Sequence, residues 1–180
     1  HLEKAFKDAG DDERRKWTII KHGEAVQGDP DVTSYTVKPE EHKSPRVTRK
    51  LYIPVSKRPK PYDAPHIPLN YRLLRYADVL LMYAEAQVNA DGTPNQQSID
   101  IVNQIRGRAG LVPFKQTNAS AFLEEVWDQR YFDLCYENKM WFDMLRTRKI
   151  RDDKSGEYVD FIGYKTNWGK VYTETQLLFP

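Results

Sequence analysis

Proline decides where this chain can be helical. Eight of its eleven prolines lie between Pro30 and Pro68. Each one fixes its own φ, withholds a backbone donor and pushes the preceding residue toward extended geometry. Residues 1–70 therefore read as an irregular, proline-rich segment with short strands. The expected strands are Val32 to Val37 and Val47 to Val55, where Leu51, Ile53 and Val55 alternate with Tyr52 and Pro54. Leu2 to Ala9 reads as a helix end stopped by Gly10, with Asp11 and Asp12 opening a turn.

From Tyr71 the pattern changes. Leu73, Leu74, Ala77, Leu80, Leu81, Ala84 and Val88 recur at steps of three and four, which places them on one face of a helix. Asn89 to Thr93 is a turn broken by Gly92. Thr93 is the expected N-cap of a second helix, with Pro94 at its first position, where a missing N–H costs nothing. That helix carries Ile99, Val102 and Ile105 and ends near Gly110. A third begins around Ala119 to Ala121 and carries Phe122, Leu123, Val126, Trp127, Phe132 and Leu134. A short fourth turns Met140, Trp141, Met144 and Leu145 to one side. Short connections between four helices predict two antiparallel hairpins, and Ala77, Ala84 and Ala86 allow close approach. The fold class is thus mostly all-α, with tetratricopeptide-like helical hairpins over 71–150. An aromatic, turn-rich tail over 151–180 completes one structural domain.

Charge narrows the function. The 28 basic and 26 acidic residues leave a net charge of +2, without the basic excess of a nucleic-acid binder. One cysteine, Cys135, excludes an internal disulfide and a cysteine zinc site. It sits beside Leu134 on an apolar helix face and is expected to be a buried packing thiol. His1, His22, His42 and His66 lack metal-ligand spacing. No stretch approaches the roughly 20 apolar residues that span a bilayer. The chain starts without Met and stops at Leu178-Phe179-Pro180 inside an apolar run, so it reads as a piece of a longer protein.

Arg75, Asp78, Glu85 and Arg106 are the charges expected to serve the fold, with Arg75 and Asp78 placed to pair along one helix. The alternative for them is a polar ligand site. Asp128, Asp133, Glu137 and Asp143 are the residue types of a glycosidase acid–base pair, but helical spacing spreads them around the axes, and solvated helix charges are the expectation. Arg146, Arg148, Lys149 and Arg151 suit the negative end of a helix dipole, and a phosphate site is the weaker reading.

Aromatics in irregular segments are the candidate binding groups. A sugar ring offers an apolar C–H face that stacks on an aromatic, while Asn, Asp and Arg bond its hydroxyls. On that chemistry the candidate ligand residues are Trp17 with Arg14 and Arg15, Tyr35, Tyr62, and Trp168 with Asn167.

The stretch from Arg75 to Ala86, RYADVLLMYAEA, resembles the signature helix of the SusD/RagB family. Other segments follow in the family's order. Ile105 to Leu111 is similar to its IRxRAGL segment, Gln129-Arg130 takes the place of ER, and Glu137 with Trp141 to Arg146 matches its E…RWFDLxR segment. Asp12 to Ile19 resembles its DxRR…TI turn, Arg49 to Tyr52 its RKxY strand, and Leu177 to Pro180 the start of LFPIP. Gln129 and Asn138-Lys139-Met140 depart from the pattern at polar contacts inside the scaffold. The resemblance spans roughly Asp12 to Pro180. It implies a surface lipoprotein of the outer membrane that holds glycans or peptides for a TonB-dependent, SusC-like transporter. It implies no catalytic residue, metal or cofactor. Membrane attachment would be only through a lipidated N-terminus outside this chain.

Overall fold

The computed structural model describes residues 1–38, 40, 43–62 and 69–177. Six α-helices are found among them: α1 Leu2–Asp8, α2 Asp12–Thr18, α3 Tyr76–Asp91, α4 Gln96–Arg108, α5 Ala119–Asp133 and α6 Met140–Thr147. Four three-residue strands accompany them: β1 Ile19–Lys21, β2 Arg46–Thr48, β3 Lys149–Arg151 and β4 Tyr158–Asp160. The mostly all-α expectation therefore holds. His42, His66 and Leu178 to Pro180 lie outside the described residues.

The main core is built from the helical periodicity. Leu81, Ala84 and Val88 of α3 meet Ile101, Val102 and Ile105 of α4 and Phe122 and Val126 of α5. Gly92 ends α3 in the left-handed region at φ 75°, its N–H donating to Val88 O at 2.8 Å, and the turn lets α4 fold back on α3. Asn95, rather than the expected Thr93, caps α4: its Oδ1 accepts from Ser98 N at 2.9 Å. Asn118 caps α5 in the same way through Ala121 N at 3.1 Å.

Two smaller cores tie the other stretches to this scaffold. Ala5, Phe6 and Ile19 pack on Phe132 and Cys135 from the end of α5. Leu145 of α6 packs on Phe161 and Tyr172 of the tail, whose rings stack at 4.5 Å.

Several expectations change. The first long helix starts at Tyr76, leaving Leu73 and Leu74 outside it and 77% and 60% exposed. Arg75 is extended because its guanidinium reaches across the fold, donating to Asp133 Oδ2 at 2.9 Å and Glu137 Oε2 at 2.7 Å. It does not pair with Asp78, which instead holds Arg130 and Lys139. Asp12 begins helix α2 rather than a turn, with Asp11 as its cap. No strand forms over Val32–Val37. The expected Val47–Val55 strand is limited to β2, since Tyr52 N bonds Arg49 O at 3.0 Å and curls the chain. Its partner is β1, in the register Ile19 to Thr48. The tail contains a strand pair as well as turns, with Ile150 opposite Val159.

The carboxylates read as solvated helix charges are all paired, two of them buried and two half-buried. Asp133 and Glu137 are buried. Asp128 accepts from Arg151 Nε at 2.9 Å, and Asp143 from Arg130 and Arg146, each at 2.8 Å. Helical spacing spreads them around individual axes, but neighbouring elements then cover most of those directions. Glu85 joins the same framework through Arg146, and Arg106 through Glu125.

Candidate functional site

After β4 the chain returns on itself in a short hairpin. Gly163 N donates to Tyr172 O at 2.8 Å, Tyr172 N to Tyr164 O at 3.0 Å, and Thr166 N to Lys170 O at 2.8 Å. Its tip is a turn closed by Gly169 N to Thr166 O at 2.9 Å. Gly169 sits at φ 86°, the left-handed position that a hairpin of this kind needs. The geometry carries Trp168 outward, 71% exposed.

Beneath Trp168 lies a cavity of about 300 Å³. Its walls include Trp127 and Tyr131 of α5, Met140 and Met144 of α6, and Tyr158, Tyr164 and Tyr172 of the tail. The aromatic groups are held by named contacts. Trp127 Nε1 donates to Glu85 Oε1 at 3.0 Å and its ring meets Tyr158 edge-on at 5.2 Å. Tyr158 donates to Asp128 Oδ1 at 3.1 Å, and Tyr164 to Asp152 Oδ1 at 3.0 Å. Burial pushes the Tyr131 phenol up to about 12 and Tyr158 well above its ordinary range. Both therefore stay protonated at neutral pH, with the Tyr158 O–H already donated to Asp128.

Polar groups mark the rim. Asn167 Nδ2 donates to Asp153 Oδ2 at 2.8 Å, and Asp153 lines the cavity. Both oxygens of Asp143, also on the wall, are taken by guanidinium groups. A mainly apolar hollow with few placed polar groups is the usual build of a small-molecule site. The exposed indole can cover the flat face of a ring.

The sequence candidates fall in separate places. Trp168 lines this cavity, and Asn167 touches its rim through Asp153. Arg14 and Trp17 line a second cleft of about 530 Å³. Within α2, Arg14 pairs with Asp11 and donates to Gln129 Oε1 at 2.8 Å, so it braces the scaffold. Arg15 is buried between Asp12 and Glu24, at 3.0 and 2.7 Å. Tyr35 meets Tyr52 edge-on at 6.1 Å, and Tyr62 lies under Arg58 at 5.0 Å; neither lines either cavity. Trp127 and Tyr131 are cavity residues that helical spacing would assign to the core. Their role depends on which side of α5 the tail covers.

Residues 4–177 match the sequence profile of the SusD family. A SusD-like protein P38 from Formosa agariphila is 37% identical over 89 residues, covering 44% of this chain and 17% of that protein. A SusD-like protein from Bacteroides ovatus is 30% identical over 103 residues, covering 56% and 18%. The crystal structure of a SusD superfamily protein from Parabacteroides distasonis superposes with a TM-score of 0.69 at 69% identity, covering 91% of this chain and 33% of that one. A SusD-like carbohydrate binding protein from Bacteroides fragilis shares the fold, with a TM-score of 0.55 at 20% identity over 82% of this chain and 36% of its own. The chain therefore spans less than a fifth of these curated relatives and about a third of the solved structures.

Proposed function

The chain belongs to the SusD family, and from that premise we propose that it takes part in the non-catalytic capture of glycans at the cell surface. The observation that carries the reading is Trp168, held out on its hairpin above an aromatic cavity with Asn167 and Asp153 at the rim. A pyranose face stacks on the indole, and the amide and carboxylate bond hydroxyls. The rigid aromatic wall costs little ordering on binding. The carbohydrate-binding description of the Bacteroides fragilis neighbour supports the same reading. In the intact protein the captured glycan passes to a TonB-dependent, SusC-like transporter in the outer membrane, to which a lipidated N-terminus would tether the complex.

The test is a panel of neutral oligosaccharides titrated by calorimetry and tryptophan fluorescence against wild type and W168A. Binding that W168A weakens at least tenfold, with no new reducing ends after incubation, is the expected result. Hydrolysis products, or full binding by W168A, would remove the reading.

A second reading, a helical-repeat module that holds a peptide or partner chain and no sugar, is favoured by Tyr76, Val79, Met82 and Tyr83, which are exposed along α3. Peptide hits in the same titration, without a sugar hit, would select it.

A further inference from the structure

The second cleft has a chemistry that neutral-sugar stacking at the first cavity does not use. It is lined by six cationic side chains, among them Arg49, Arg72 and Arg75, and by three carboxylates, Glu13, Asp133 and Glu137. The carboxylates are already engaged. Asp133 is held by Arg75 and Arg108, Glu137 by Lys50 and Arg75, and Glu13 by Lys16. The positive charge left over belongs chiefly to Arg49 and Arg72.

Arg49 is only 8% exposed, yet among the described residues it makes no direct ion pair, the buried Asp29 carboxylate acting on it only through space. Its Nε donates to Gln27 O at 2.9 Å and Nη1 to Tyr52 O at 3.2 Å. The guanidinium lies over the rings of Trp17 and Tyr52, at 5.5 and 5.0 Å. Burial costs it enough hydration to lower its pKa. A buried cation bonded to carbonyls and ring faces, with a carboxylate acting only through space, is a costly arrangement. Arg72 is exposed and makes no ion pair among the described residues. Arg14 on the same wall is paired with Asp11, and its Nη2 is buried without a hydrogen-bond partner among the described residues. A cleft with excess charge of one sign concentrates ligands of the other, and the guanidinium fork fits a carboxylate in two-point contact. Trp17, 49% exposed on the same wall, supplies an aromatic face for a ring.

We propose that this cleft is a second binding site, specific for an acidic sugar residue whose ring rests on Trp17 and whose carboxylate is taken by Arg49 and Arg72. A neutral residue would leave these guanidinium groups without their anion and bind weakly. The site is separate from the Trp168 cavity and does not depend on it.

The probe is trigalacturonate, compared with its fully methyl-esterified form, on wild type, R72Q, R49Q and W168A. The expected result is binding of the acid at least tenfold tighter than the ester in W168A, where the neutral-sugar cavity is disabled, and a weakening of about fivefold or more by R72Q. R72Q carries the test should R49Q fail to fold, because Arg72 is exposed and unpaired among the described residues. Equal binding of acid and ester, or no effect of R72Q, would overturn the proposal. So would inorganic sulfate or triglutamate binding as tightly as the uronide, which would mean a bare anion site or an acidic-peptide site instead.

Discussion

Arg130 Nη1 donates to Asp78 Oδ1 at 2.8 Å, across 52 residues of sequence, with both side chains almost wholly buried. The same guanidinium gives Nε to Asp143 Oδ2 at 2.8 Å, so one arginine joins α3, α5 and α6. Removing Arg130 leaves the buried Asp78 held by Lys139 alone and Asp143 by Arg146 alone. R130M is expected to cost about 3–5 kcal/mol. The double variant R130M/D78L should recover part of it, because the buried carboxylate is gone and the partly exposed Lys139 can turn to solvent. Urea unfolding of the two variants measures the difference, and a double variant no better than R130M would show that shape rather than charge sets the cost.

Glu85 and Arg146 link α3 to α6 by two bonds of 2.6 and 2.8 Å. Burial alone would raise the Glu85 carboxyl, but Arg146 and the Trp127 N–H together bring it below its ordinary value of 4.5. The native state thus binds fewer protons here than the unfolded chain. This stability is fully present above about pH 4.5 and is lost as pH falls through the depressed folded value. E85Q should destabilise the protein by about 1–2 kcal/mol at neutral pH, the partial exposure of Arg146 limiting the figure. The deficit relative to wild type should shrink on acidification. A deficit constant from pH 7 to pH 3 would contradict the assignment.

Gly28 lies at φ 77°, and a Cβ built there falls 2.7 Å from Trp17 Cη2 and 2.9 Å from Cζ3. G28A is expected to lose about 1–2 kcal/mol from backbone strain alone and to displace the indole from the cleft wall. Thermal melting and the tryptophan emission maximum report the two effects separately. An unchanged emission spectrum would mean that Trp17 does not rest on that glycine.

Burial pushes the Cys135 thiol up to about 11, and its S–H donates to Phe132 O at 3.2 Å. Only the thiolate is nucleophilic, so iodoacetamide at pH 8 should leave the folded protein unmodified and label it promptly in denaturant. Rapid labelling under native conditions, read by intact mass, would refute the buried environment.

Phe122 is fully buried where α3, α4 and α5 meet, with Phe114 edge-on at 6.1 Å. F122A removes an aromatic ring from that core and should cost about 3–5 kcal/mol. A loss below 1 kcal/mol in chemical denaturation would mean that the core closes over the cavity.

The helical scaffold was legible because its signal is local. A three-and-four apolar repeat, Gly92 as a stop and the prolines of the first stretch act through backbone sterics and nearest-turn packing. They operate within a few residues of sequence. Boundaries were less legible where a distant partner decided them. Arg75 ends the pattern at Leu74 because its guanidinium is spent on Asp133 and Glu137, and no local propensity records that. The three-residue strands β1 and β4 are too short to establish a period.

For the candidate site the division is similar. Aromatic residues read as lying in irregular segments suggested Trp168 and Trp17, with Asn167 as the neighbour of one, but Trp17 stands on helix α2. The sequence by itself determined the helical class, the family, the buried thiol and the kind of side chain available for stacking, since each is carried by local pattern or residue chemistry. Only the tertiary structure decided which aromatics share a cavity, which carboxylates lose their solvent, and that Arg49 makes no direct ion pair among the described residues. Those outcomes depend on Coulombic and packing contacts between elements tens of residues apart, where spacing along the chain says nothing about distance.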